Sequence, residues 1–462
     1  MDPWLQPAIG YIRSWIQFQM RTSQHPGCII AIAHRGKVID EYAFGHANLA
    51  TGEKLTPRHR FRIASHSKSF TAAGIIKLRE QRKLRLDDPA GQYVSGLHRQ
   101  VAETTIAQLL SHSAGLTRDG ADSGQFADRR PYRSREELLA DFRLPPAIEP
   151  NTRFKYSNHG FGLIGLVIEA IANEPYEAWI KREIIDAAGL RETRPNAPIA
   201  RGIPFARGHT LRLPVGRRLV IPGDNPCHAI AAAAGFVSTA ADVARFFGQL
   251  APNAKRSVLS VAGRREIVRK HWRDPQTASE SYYGLGVGSG TTAGWEWFGH
   301  TGGFQGYVSR TVGIPQLELT ITGLTNSADG LSGFWLDGAM HILRAFAARG
   351  APERRVRDWT GKWWGTAGAI DLVPLGNRVL VANPHAYNPF LDATEIEISG
   401  RDTGRISQAI GGASYGQPVR RTRNKAGKVT DIWLAGGNLK REAVLAAELE
   451  RRYAPRKRRT AR

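Results

Sequence analysis

Cysteine is nearly absent from this chain: 462 residues contain two, Cys28 and Cys227. Both sit among apolar residues, which fits buried thiols and excludes a disulfide framework. Neither H-E-x-x-H nor a paired C-x-x-C occurs, so the sequence offers no case for a catalytic or structural zinc, and no cofactor is expected. Long apolar runs are also missing, and no stretch approaches the roughly 20 residues needed to span a bilayer. The opening residues, "MDPWLQPAIGYIRSWIQF", lack the basic leader and continuous apolar core of a signal peptide. A cytoplasmic protein is therefore expected, or a periplasmic or secreted one whose leader has been removed. Acidic residues are in deficit, with 41 Asp+Glu against 64 Lys+Arg, a net charge of +23. The excess is mostly scattered arginine, with one cluster at residues 451–462. That cluster reads as a solvated, disordered basic tail rather than a nucleic-acid arm.

What is present is enough apolar residue, 42%, for a large folded domain and a smaller one. Asp2 and Pro3 are placed as cap and first residue of a helix. "CIIAIAHRGKVIDEYAFG" predicts two strands joined at Arg35-Gly36, a hairpin signal. A helix-rich region runs to about Gln249, strand patterns return between Tyr282 and Asn326, and "GFWLDGAMHILRAFAA" predicts a closing helix. This order implies an α+β fold, an antiparallel sheet flanked by helices with a helical subdomain, over residues 1–350. Residues 351–450 alternate apolar and polar with frequent glycine, the pattern of a small antiparallel, lipocalin-like β-barrel.

One short pattern carries chemistry. In "FRIASHSKSF", Ser65 precedes Lys68 by three residues, and no other serine in the chain has lysine at that spacing. On a helix both face one side, where a lysine of lowered pKa can act as base for a serine nucleophile. Alone the pattern is weak, since an N-capping serine with an exposed lysine would look the same. Two later segments accompany it: "KYSNHG", with Tyr156, Ser157 and Asn158, and "GHTGG", with His300, Thr301, Gly302 and Gly303.

With these motifs, "LRLDDPAGQYV", "IAQLLSHSAGL", "EPNTRFKYSNHGFGLIG" and "AGFVSTAADVARF" in order, the chain resembles the serine β-lactamase-related hydrolases. These comprise class C β-lactamases, D-Ala-D-Ala carboxypeptidases, D-aminopeptidases and related esterases. The resemblance covers about Ile9 to Ala345 and implies a β-lactamase/transpeptidase-like fold. It implies Ser65 as nucleophile, Lys68 as base and Tyr156 as proton shuttle, its phenolate favoured by Lys68. Asn158, His300, Thr301 and Gly302 would contact substrate, and the backbone NH groups of Ser65 and Gly303 would form the oxyanion hole. His300 stands where β-lactamases of this kind carry lysine, which favours a peptidase acting near D-amino acids. Carboxylesterase, β-lactamase and a non-catalytic penicillin sensor are the alternatives. Small-molecule or peptide substrates are the expected partners, and a homo-oligomer is compatible with the chain.

Two other features are decoys. Gly412 to Gly416 matches G-x-S-x-G, but Pro418 and a β-rich context predict a turn. "GLGVGSG" lacks the lysine and hydroxyl of a phosphate loop and predicts a strand and turn leading to His300. His112 is expected to stabilise a loop.

Overall fold

The computed structural model describes residues 2–275 and 280–454. Its first helix, α1, Leu5–Ser23, begins two residues later than the Asp2-Pro3 pair predicts, the main-chain oxygen of Asp2 accepting from Leu5 N at 3.0 Å. Strands β1 (Gly27–His34) and β2 (Lys37–Asn48) form the expected hairpin. Arg35 and Gly36 at its tip have φ of 52° and 74°, the pair of positive values that a tight two-residue turn requires.

The remaining strands of that sheet are β3 (Glu53–Lys54), β4 (Trp272–Arg273), β5 (Ser281–Tyr283), β6 (Gly288–Thr292), β7 (Trp295–Phe304), β8 (Tyr307–Ile314) and β9 (Leu319–Thr325). They join β1 and β2 in the antiparallel order β3-β2-β1-β9-β8-β7-β6-β5-β4. Early and late segments of the sequence meet where β1 pairs with β9, Cys28 opposite Thr325. Both central strands are buried on both faces, which accounts for the unbroken apolar run at Cys28–Ala33.

Three helices frame the Ser65 region. Helix α2, Ser67–Glu80, is buried nearly all round, and α3, Asn158–Ala172, starts on the N-cap Ser157. Helix α4, Ala240–Leu250, packs against β1 and β9. One apolar core, including Phe70, Ile75, Phe161, Val243 and Phe246, ties these helices to the sheet.

The chain separates into two units, Gln24–Leu336 and Met1–Ser23 with Asp337–Arg462. Helix α1 therefore groups with the C-terminal residues. In that second unit eight antiparallel strands spanning residues 361–440 close into a barrel, sealed by pairing of Trp364 with Lys440. Trp359, Trp363, Leu372, Ile396 and Ile432 fill its interior. The barrel segment at Ser414 is a turn that runs directly into a strand, Pro418–Arg423, not into a helix. Of the basic tail, Arg451 to Tyr453 complete helix α5, Glu442–Tyr453, and residues 455–462 lie outside the described residues. Among the described residues no helix is long and apolar enough to cross a membrane.

Candidate active site

Ser65 sits in a 3₁₀ turn, Ala64–His66, that leads directly into α2, so Lys68 follows one turn later on the same side. The turn is held from several directions. Phe61-Arg62 pairs with Val237-Ser238, Ile63 N donates to Phe236 O, and Ser67 Oγ donates to Ala64 O at 2.5 Å. Ala64 has φ of 49°, a left-handed value disfavoured for alanine and found where surroundings dictate backbone shape. Buried His66 clamps the turn to the sheet through Thr311 Oγ1 at 2.9 Å. Its imidazole is pushed down to about 3 by burial, so it acts as a neutral strut.

Lys68 is fully buried, and its Nζ reaches Ser65 Oγ at 3.2 Å, Asn158 Oδ1 at 2.7 Å and Ala233 O at 2.9 Å. Every one of these partners is neutral. Burial drives the Lys68 ammonium well below the ordinary lysine range, with buried Asp119 opposing the shift. A neutral amine has two N–H donors and one lone pair. Asn158 and Ala233 satisfy the donors, which leaves the lone pair for the Ser65 hydroxyl proton.

Tyr156 stands next to Ser65, and Lys68 Nζ lies 4.8 Å from its ring centre. Burial raises the phenol's pKa, partly countered by Ser65 and by Arg118. Burial thus works against the phenolate that the resemblance implies and favours the phenol, a group that can donate a proton and then recover it. Its segment is anchored by His112, whose carbonyl accepts from Lys155 N and whose Nδ1 accepts from Ser157 N. The next residue, Asn158, joins Lys68 to Asp119, its Nδ2 donating to Asp119 Oδ1 at 2.6 Å.

Strand β7 brings the third motif across the turn, and its alternation sorts the four residues. Thr301 and Gly303 are on the exposed side, His300 and Gly302 on the buried one. A Cβ on Gly302 would fall 2.3 Å from Ser309 Oγ and 2.4 Å from Ile63 O. Glycine here is what allows the strand to lie against the nucleophile turn. Gly303 is open, with nothing within 4 Å of a Cβ. His300 is occupied on both nitrogens: Nδ1 donates to Thr301 O at 2.6 Å, and Nε2 accepts from Tyr283 OH at 2.8 Å. Burial also holds the ring neutral. So placed, His300 offers no conditional cation to a ligand.

The site opens into a cleft of about 680 Å³ whose lining includes Ser65, Asn158, Gly303, Arg118 and Asp128. Asp119, Asp128, Gln305 and Tyr283 belong to no short sequence motif, and sequence reasoning misses them. Asp119 has one weak signal, a lone acid inside the glycine-flanked "GLTRDG" that comes after His112. Among the described residues no group of three His, Cys, Asp or Glu is arranged to hold a metal.

The family model described as Beta-lactamase matches residues 12–337. A penicillin-binding protein of Bacillus subtilis is 32% identical over 177 residues, 37% of this chain and 38% of its own length. Protein flp of Staphylococcus aureus is 28% identical over 171 residues, 36% of this chain and 34% of its own length. The aligned part thus spans under two fifths of the length of these curated relatives. Among solved structures, the octameric penicillin-binding protein homologue from Pyrococcus abyssi superposes with a TM-score of 0.65 at 22% identity, covering 94% of this chain and 100% of that one. The D-amino acid amidase from Ochrobactrum anthropi SV3 gives 0.64 at 21% identity, covering 73% and 99%. At these identities the structural likeness is one of fold.

Proposed function

The chain belongs to the beta-lactamase family of serine hydrolases, and from that premise we propose that it cleaves amide or ester bonds through an acyl-enzyme on Ser65. The observation that carries this is the buried lysine: Lys68 is surrounded by neutral acceptors, and one of them is the hydroxyl it would deprotonate. In this reading Ser65 Oγ attacks the substrate carbonyl as its proton passes to Lys68 Nζ. The backbone NH groups of Ser65 and Gly303 bind the oxyanion, a type of contact whose loss costs about 100- to 1,000-fold in rate. Tyr156 delivers a proton to the leaving nitrogen or oxygen as its bond to carbon breaks, and is re-protonated from Lys68. Water then attacks the ester, and the same groups run in reverse to release the acid and restore Ser65.

The substrate we favour is a peptide or amide bearing D-amino acids, of the D-aminopeptidase or D-Ala-D-Ala carboxypeptidase type. Neutral His300, in place of a fixed cation, supports this over efficient β-lactam hydrolysis. A fluorophosphonate or fluorescent β-lactam should label the wild type at Ser65, and Ser65→Ala should stay dark. Equal labelling of both proteins would remove the mechanism. A burst equal to the enzyme concentration with no turnover would assign the penicillin-sensor alternative instead.

A further inference from the structure

The charges in the cleft bear on which end of a substrate it holds. Two charged side chains line it, Arg118 and Asp128. Arg118 is compensated, its Nε standing 3.1 Å from Asp119 Oδ2. Asp128 is exposed beside Arg129 and Arg130, but its hydrogen-bond partners are neutral: Gln305 Nε2 donates to its Oδ1 at 2.8 Å and Asn225 Nδ2 at 3.5 Å. Among the described residues no cation pairs with it, and no hydrogen bond reaches its Oδ2.

Its position is built. Gln305 is 9% exposed and also donates to Gln125 O, so the amide that orients Asp128 is itself fixed. Gln305 lies two residues after Gly303, within about 7 Å along an extended chain, which keeps Asp128 near the carbonyl-binding end of the cleft. Strand β7 supplies no competing attraction, because the Tyr283 hydroxyl occupies His300 Nε2.

The geometry points to Asp128, oriented by Gln305, as the acceptor for a substrate's free α-ammonium group, so that the cleft takes amides and peptides with an unblocked amino terminus. This rests on Ser65 being the acylated residue and selects, within that reading, an aminopeptidase or amino-acid amidase over a carboxypeptidase. A carboxylate-bearing peptide would have to rely on Arg118, which Asp119 already neutralises. An ammonium would convert an unpaired carboxylate into a charge-assisted hydrogen-bonded pair.

The test has two arms. In the first, titration calorimetry on Ser65→Ala compares D-alaninamide with N-acetyl-D-alaninamide. The free amine should bind about tenfold or more tightly, and Asp128→Asn in the same background should erase the difference. In the second, kcat/KM is compared for D-alanine p-nitroanilide and its N-acetyl form. The ratio should favour the free amine and fall about tenfold or more in Asp128→Asn, chiefly through KM. Equal handling of free and acetylated compounds, a ratio unchanged by Asp128→Asn, or preference for an N-acylated D-Ala-D-Ala peptide would overturn the assignment. Failure of Ser65 labelling would instead strike the acyl-enzyme mechanism, and the binding arm would still decide the role of Asp128.

Discussion

Lys68 Nζ stands 3.2 Å from Ser65 Oγ in a fully buried setting whose other two contacts are an amide oxygen and a main-chain carbonyl. Among the described residues no carboxylate hydrogen-bonds the amine. Asp119 is one residue removed, bonded to Asn158.

That arrangement predicts an acid limb in the pH profile. Burial lowers the Lys68 pKa, so the neutral, basic form exists at far lower pH than for a surface lysine. The acylation rate should rise as pH increases through the lowered value and then level off. Lys68→Arg cannot lose its proton and should abolish the limb together with about 100-fold or more of the rate. Pre-steady-state acylation by a chromogenic ester across pH checks this; an unchanged profile in the variant would exclude Lys68 as base.

Asp119→Asn should move that limb. The Asp119 carboxylate raises the Lys68 pKa against the larger effect of burial. Removing its charge leaves burial less opposed, so the pKa falls further and the limb shifts to lower pH. A shift to higher pH in the same kinetic measurement would show that Asp119 works in some other way.

How much of this is legible in the sequence depends on whether the determinant is local. Ser65–Lys68, Tyr156–Asn158 and His300–Gly303 are short runs, and one residue of each, Ser65, Asn158 and Gly303, lines a single cleft. The Arg35-Gly36 turn and the alternating barrel strands are legible for the same reason. Period-two alternation adds a constraint on the third run: in a strand His300 and Gly302 face opposite to Thr301 and Gly303, so all of them cannot present side chains to one ligand. Asp119, Asp128 and Tyr283 are not legible, since their meaning lies in partners 39, 177 and 17 residues away. The grouping of helix α1 with residues 337–462 is likewise a long-range fact that no local pattern records.

Tyr283→Phe should cost stability without touching Ser65. It removes the donor to His300 Nε2 and leaves a buried acceptor unsatisfied, a loss of about 1–3 kcal/mol. Urea denaturation should show the lower midpoint with an unchanged slope. A variant as stable as wild type would mean that the Tyr283–His300 bond contributes nothing net.

The two adjacent glycines of β7 should separate stability from catalysis. Gly302→Ala forces a methyl group against Ser309 Oγ and Ile63 O, one of which is rigid main chain beside the nucleophile turn. The strand must back away, with a loss of about 1–3 kcal/mol from overpacking and a displaced oxyanion site. Gly303→Ala meets open space, so its thermal midpoint should stay near that of wild type. Its methyl group projects on the exposed side of the strand, where the substrate carbonyl would approach, so kcat/KM should drop while folding is spared. Measuring both variants by calorimetry and ester hydrolysis tests the packing of β7 on the turn: equal stability of the two would show that the strand does not press on Ile63, and full activity in Gly303→Ala would place the oxyanion donor elsewhere.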